Sequence, residues 1–255
     1  MEDVVVFAAL PWERRAVGRA LGASGSPVAP GTWAIRLGRG GSGILVEMGI
    51  GAARARAAAL AAPDARAWVT MGCAGALVGW LGRGQAVVAD EVVVLDEAGR
   101  VTERMPAAGA PFAEAAARHG VRLIAGPIAA TPSVMATADA KAVAATASGA
   151  LVVDMESGVI ATVARDRGIP FHGLRTVLDL ADEQLPFGPD VVDERTGTVR
   201  AGRALRALAP PSRWPAAVRL FRGQRAAARE LRALARVIAH DGLPEPAREW
   251  RAATA

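Results

Sequence analysis

The sequence predicts an α/β protein, a three-layer sandwich around a central mixed, largely parallel sheet, with a C-terminal helical extension. Three observations support this. Val/Ile/Leu-rich runs alternate with helical patterns from residue 4 to about 181. The strand centres are apolar without strict alternation, as in strands covered on both faces. Beyond about Ala201 the chain changes to arginine at helical spacing. We therefore expect one domain over residues 1–200 and an arginine-rich extension over 201–255.

The elements follow in order. "VVVFAAL" reads as a strand stopped by Pro11, and "WERRAVGRAL" as a helix with Gly22 beyond it. "TWAIRLG" and "GILVEMG" flank "RGGS" as a hairpin, and "IGAARARAAALAA" is an alanine-rich helix ended by Pro63. "AWVTMG", "QAVVADEVVVLD" and "VRLIAGPIA" read as strands, the second long enough to bend or bulge. Helical patterns occupy 111–119, 138–147 and 156–167, and "PFHGLRTVLDLA" is the last strand. In the extension, "APPSRWP" reads as a hinge before an amphipathic helix, with Leu220, Leu231, Leu234 and Val237 opposite its arginines. That helix either packs on the body or meets a membrane surface or partner.

Composition narrows the function. Residues 1–199 hold 18 Lys+Arg against 21 Asp+Glu, whereas residues 200–255 hold 12 arginines and 4 acids. A body of negative balance is no nucleic-acid footprint, so the basic character belongs to the tail. No apolar run approaches the ~18 residues of a membrane span. The acidic "MEDVVVFAAL" start reads as a strand and not a signal peptide. With Cys73 alone, an intramolecular disulfide or cysteine zinc cluster is impossible. A cytoplasmic enzyme fits best.

In open α/β sheets ligands bind at the carboxyl ends of strands, which directs attention to "ALPWE", "MGIGAAR", "TMGCAGAL", "VVDMES" and "RTVLDLAD". "MGIGAAR" has two glycines of a dinucleotide fingerprint, but Arg54 stands where the third belongs. Glycines before a helix also let free N–H groups approach an anion, and "TMGCAGAL" invites the same reading, with tight packing as the alternative. "LVVDMESGVI" raises a separate question, because Asp154 and Glu156 sit in an apolar run where unpaired carboxylates are costly. Asp154 reads as a helix cap. His119, His172 and His240 share no metal-binding spacing and read as surface or packing residues.

Together, "ALPWE", "GIGAARA", "TMGCAGAL" with "GQAVVADEVV", "VVDMESGVIA" and "PFHGLRTVLDLAD" resemble, in order and spacing, the nucleoside phosphorylase and nucleosidase superfamily. This group contains the purine nucleoside phosphorylases and methylthioadenosine/adenosylhomocysteine nucleosidase. "LP" at 185–186 and the basic tail resemble its hopanoid-associated phosphorylase branch, which implies an adenosylated hopanoid lipid as substrate.

The resemblance implies cleavage of the N-glycosidic bond of an adenosine-type purine nucleoside, with no metal or organic cofactor. Asp179 would be the general acid at the base, Glu156 and Met155 would hold the ribose, and Glu13 would activate water. Phosphate stays open as co-substrate through Arg14, Arg15 and Arg54, with Gly51, Gly72, Cys73 and Ala74 completing the nucleophile site. Ser133, Val134 and Met135 would face the base in place of the family's aromatic.

A carboxylate at the nucleophile site repels phosphate and favours hydrolysis. The bland alternatives are a surface position for Glu13, a first-turn acid at Glu156 and a cap at Asp179. Further expectations are a homo-oligomer, peripheral membrane contact through the tail, and no nucleic-acid partner. The rival function is a catalytically idle nucleoside- or partner-binding protein. If Glu156 faces a sugar, an empty pocket should leave it solvated.

Overall fold

The structure, a computed structural model, describes residues 2–23, 25–186, 188, 192–193, 197–200, 202–203, 206 and 209–244. β1 (Glu2–Ala8) leads into α1 (Pro11–Ala20), and β2 (Thr32–Arg36) and β3 (Ser42–Glu47) form the expected hairpin before α2 (Ala52–Ala61). Then come β4 (Ala65–Ala76), β5 (Ala86–Leu95), β6 (Val101–Pro106), α3 (Ala110–Arg118), β7 (Leu123–Ala130) and α4 (Ala138–Ser148). β8 (Val152–Asp154), α5 (Ser157–Asp166) and β9 (Phe171–Asp179) follow. A short ladder of β10 (Val192–Asp193) with β11 (Thr198–Val199) precedes α6 (Trp214–Asp241).

The main sheet has nine strands in the order β2-β3-β1-β4-β8-β7-β5-β6, with β9 pairing both β4 and β5. β9 thereby closes a ring with β4, β8, β7 and β5. β1 shows the period of two that places it between layers. Val5 and Phe7 join one core with Ala55 and Ala59 of α2 and Ile160 of α5. Val4 and Val6 join a second core with Val17 of α1, Phe112 of α3 and Leu231 of α6.

Two expectations change, and the one for β5 holds. "TMGCAGAL" is no strand-to-helix loop, because β4 continues through it to Ala76 and pairs with β9 and then β8. Its small residues mark close strand approach. β6 was not anticipated from "VTERMP"; it is an edge strand that buries Met105 alone, so it lacks the apolar run of a central strand. β5 does carry a register shift, between Ala89 and Val92.

Of the two readings of the tail helix, packing on the body is the one that its apolar stripe follows. Leu231, Leu234, Val237 and Ile238 of α6 are fully buried in the second core. Burying each such side chain is worth about 1.5–3 kcal/mol. The apolar stripe therefore holds α6 on the body, and a short 3₁₀ turn at Pro211–Arg213 opens the helix. Residues 245–255 of the extension lie outside the described residues. His119 and His240 meet across the ends of α3 and α6, where both hydrogen-bond Asp241, at 2.9 and 2.8 Å. Their hydrogen bonds hold the Asp241 carboxyl down to about 2. His172 is buried in β9, and desolvation pushes it down to about 4, so it is a neutral packing residue.

α6 crosses the end of β9 at Gly223, where an added Cβ would lie 2.0 Å from the Leu178 carbonyl oxygen. Gly223→Val should lower unfolding stability by about 1–3 kcal/mol through overpacking. Denaturant titration of the variant would measure this, and unchanged stability would show that α6 does not press on β9.

Candidate active site

At the carboxyl ends of β1, β4 and β9 a cavity of about 410 Å³ is lined by Glu13, Asp154, Glu156 and Asp179 together with apolar side chains. Each acid is held by a different local device. Glu13 sits in the first turn of α1, which Pro11 starts, and is only 1% exposed. Its Oε2 accepts from the Ala9 and Leu10 amides at 3.1 and 2.9 Å, and Oε1 accepts from the Cys73 amide at 2.8 Å. The Cys73 thiol adds a further hydrogen bond, so the carboxylate's roughly four acceptor sites are engaged from α1 and β4. Gly72 permits this packing, since a Cβ there would lie 3.1 Å from Oε1. Desolvation raises the Glu13 pKa, against lowering by the Cys73 and Leu10 hydrogen bonds and the Arg175 charge.

Asp154 ends β8 and accepts from the Ser157 amide and hydroxyl; the N-cap position of α5 is Glu156, so Asp154 secures the first helical amide from two residues before the cap. It is also paired with Arg175 of β9, whose guanidinium further donates to Ser157 Oγ at 2.9 Å. Arg175 is 2% exposed, and desolvation works against its charge, but Asp154, Glu156 and Glu13 outweigh that and raise its pKa.

Glu156 is not solvated, contrary to expectation. It is buried, and its Oε1 accepts from the Gly51 amide at 2.7 Å. Gly51, at φ 97°, adopts a conformation that L side chains rarely take, and this turns its N–H toward the carboxylate. Desolvation first, then the Asp154 charge, raise Glu156 to about 7. The resulting carboxyl is poised near neutrality.

Asp179 ends β9 beside Gly75, where a Cβ would lie 3.2 Å from Oδ2. Oδ2 is held by Lys141 of α4, a 1% exposed residue that no sequence motif singled out. Desolvation raises the Asp179 pKa while the Lys141 charge lowers it.

Of the remaining expected residues, Met155, Ser133, Val134, Met135, Cys73 and Ala74 line the cavity. Arg54 does not; it is exposed on α2. Arg14 is engaged with Glu47 at 3.1 Å and lies over Trp33, and Arg15 is exposed. Gly51 and Gly72 act from behind the wall, through Glu156 and Glu13. Burial and negative neighbours push the Cys73 thiol well up, so it is not a thiolate. Sequence reasoning missed Trp12, which supplies an aromatic wall, and Leu220 and Gln224, by which α6 joins the cavity. Trp12 stands next to Glu13 within "ALPWE" and was the more legible of these.

A sequence model of the phosphorylase superfamily matches residues 3–209. The chain belongs to the phosphorylase superfamily. No curated protein matches it by sequence. Among solved structures, this superfamily member is similar to the 5'-methylthioadenosine/S-adenosylhomocysteine nucleosidase of Helicobacter pylori with butyl-thio-DADMe-Immucillin-A. The identity is 17%, the TM-score 0.66, and coverage is 92% of this chain and 97% of that one. The corresponding Neisseria meningitidis nucleosidase, in complex with methylthio-immucillin-A, is 18% identical with TM-score 0.65, covering 94% and 99%. Futalosine hydrolase of Helicobacter pylori is 17% identical with TM-score 0.65, covering 91% and 97%. These likenesses fix the fold, and their coverage extends past residue 209 into the region of α6.

The Glu156 environment sets a pH dependence. Unfolded, its carboxyl ionises near its ordinary 4.5; folded, near 7. Between those values the folded chain holds the extra proton, so stability from this group falls as pH rises and stays lower above 7. Relative to Glu156→Gln, the native chain should lose on the order of 3 kcal/mol between pH 4.5 and 8. Paired denaturant titrations across that range read the difference; a relative gain with rising pH would show an ionised Glu156 in the fold.

Proposed function

We propose that this cavity hydrolyses the N-glycosidic bond of an adenosine-type purine nucleoside. The observation that carries the reading is the make-up of the walls: four carboxyl groups line the cavity and no arginine or lysine does among the described residues, the buried Arg175 and Lys141 standing behind Asp154 and Asp179 and leaving Glu13 without an ion pair. Such a cavity disfavours phosphate and favours the oxocarbenium-like sugar that forms as the bond breaks. Asp179, its pKa raised by burial, donates a proton to the base as the C–N electron pair moves onto it. Water loses a proton to Glu13 and attacks the anomeric carbon. Glu156 accepts hydrogen bonds from the ribose hydroxyls, with Met155 packed against the sugar. Trp12 offers a flat apolar wall. The nucleoside ligands named for the similar nucleosidases agree with this chemistry.

Asp179→Asn should reduce adenine release by roughly 10²–10⁴-fold. The assay, run on adenosine and methylthioadenosine with and without phosphate, separates the two nucleophiles; a strict phosphate requirement would overturn hydrolysis. A second reading, nucleoside binding without cleavage, draws on the Lys141–Asp179 pair, because a carboxylate held by an ammonium group is a poor proton donor. Tight nucleoside binding with no base release would support it.

The finer substrate assignment is a lipid-linked adenosine, an adenosylated hopanoid, handled by a cytoplasmic enzyme at the membrane surface. Leu220 of α6 lines the cavity, and Trp214, Val218 and Phe221 on the same stretch of helix are exposed beside Arg219, Arg222 and Arg225. Exposed aromatics with arginines suit an anionic lipid surface. No helix is long and apolar enough to cross a membrane among the described residues. Val218→Ser/Phe221→Ser should abolish co-sedimentation with anionic vesicles while leaving adenosine turnover intact; undiminished sedimentation would remove the membrane from the scheme.

A further inference from the structure

Of the chain's 30 basic residues, 29 are arginine and one is lysine, and that lysine is buried beside Asp179. Lys141 stands in the first turn of α4, where its amide donates to the Thr137 carbonyl and Thr137 Oγ1 accepts from Ala140. Its ammonium has three acceptors: Asp179 Oδ2, the Leu180 carbonyl at 2.6 Å and the Glu183 carbonyl at 3.1 Å.

Three acceptors match the three hydrogens of an ammonium group; a neutral amine has two, and would turn its lone pair on one of them. A planar guanidinium does not reproduce that geometry, which gives a reason for lysine in a chain that otherwise uses arginine.

We propose that Lys141 is the positioning residue of the general acid: it fixes Asp179 by one oxygen, leaves the other for the base, and stabilises the carboxylate formed when the proton departs. The proposal rests on the hydrolase reading and deepens it. During bond cleavage Asp179 passes from a neutral carboxyl to an anion as its proton moves to the base. A fixed ammonium at contact distance favours the second state over the first, so its effect is larger in the transition state than in the ground state. This also meets the objection raised by the ion pair. Burial raises the Asp179 pKa, Lys141 lowers it, and the net direction remains upward.

The other charges around the pair are accounted for. Glu183 raises the Asp179 pKa and Arg83 lowers it. Glu183 is itself paired with Arg83 and, from α6, with Arg219 at 3.0 Å. Cys73 of β4 also senses the Asp179 charge but stays a neutral thiol. Glu13, Asp154 and Glu156 face the same cavity.

The test is the pH profile of adenine release from adenosine by Lys141→Met, beside Lys141→Arg and Asp179→Asn. A protonated Asp179 is required, so the native kcat falls as pH rises through its pKa. Removing the ammonium should lower kcat roughly 10- to 100-fold, leave KM nearly unchanged and move that basic limb to higher pH. Lys141→Arg keeps a positive charge without the three-acceptor geometry, so its limb should lie closer to the native position than that of Lys141→Met while kcat still falls. Loss of kcat with an unmoved limb in Lys141→Met would assign Lys141 to the scaffold alone and overturn the proposal, as would native kcat.

A measurement on the native chain guards against a variant that does not fold. Lysine labelled with ¹³C at Cε gives a single lysine signal. It should show one small step at the pH of the kcat limb, absent in Asp179→Asn. A lysine signal without that step would equally overturn the pairing role. Full activity of Asp179→Asn would instead sink the general-acid reading itself, so the two failures are distinguishable.

Discussion

Arg175 is a full positive charge buried among the acids of one cavity, and its choice of partner sets the state of its neighbours. It pairs with Asp154 and reaches Ser157, so a single guanidinium joins β9 to β8 and to the start of α5. Removing one member of such a buried pair typically costs about 3–5 kcal/mol, because the other charge is stranded. Asp154 takes the guanidinium and Glu156 is left with one amide; desolvation first, then the Asp154 charge, raise its carboxyl to about 7. The two acids of "DMES" are therefore unequal by construction. Asp154 belongs to the scaffold, and Glu156 lines the cavity, accepting a hydrogen bond from Gly51.

The ring closed by β9 brings these groups together. Gly75 is in register with Val153 of β8 and with Asp179 of β9, so β4 separates from β9 and joins β8 at this point. A register shift between Ala74 and Gly75 accompanies the change. Strand ends that separate leave room for a ligand. Small residues at 72–76 let Glu13 and Asp179 approach from α1 and β9 without a side chain between. A bulky residue at 75 would push directly on the Asp179 carboxylate. The cavity is thus a consequence of strand register as much as of loop shape.

Much of this was legible in the sequence, for identifiable reasons. Strand–helix alternation located the β1, β8 and β9 ends, and with them Glu13, Glu156 and Asp179, because apolar runs broken by Pro11 or a polar cluster mark their own limits. The path of β4 was not legible. Glycine and alanine at 72–76 signal a loop by propensity, and strand pairing with β8 and β9 overrides it. Three contacts arise only from tertiary packing: Lys141 with Asp179, Leu220 with the cavity, and His119 with Asp241 and His240. For Lys141 a compositional signal existed all the same, in one lysine among 29 arginines. The chain uses arginine everywhere else, and the exception sits beside Asp179.

α6 has different surroundings along its length. Its second half is core, anchored by Leu231, Leu234 and Ile238. Its first half carries Leu220 and Gln224 to the cavity and Arg219 to Glu183. Glu183 in turn accepts from the Leu180 amide at 3.0 Å, and its carbonyl accepts from Lys141. A contiguous set of contacts therefore runs from α6 through Glu183 and Lys141 to Asp179. A ligand substituent pressing on Leu220 acts on the same turn of helix that holds Arg219. The helix that walls the cavity therefore also braces the segment that holds the Lys141 ammonium against Asp179.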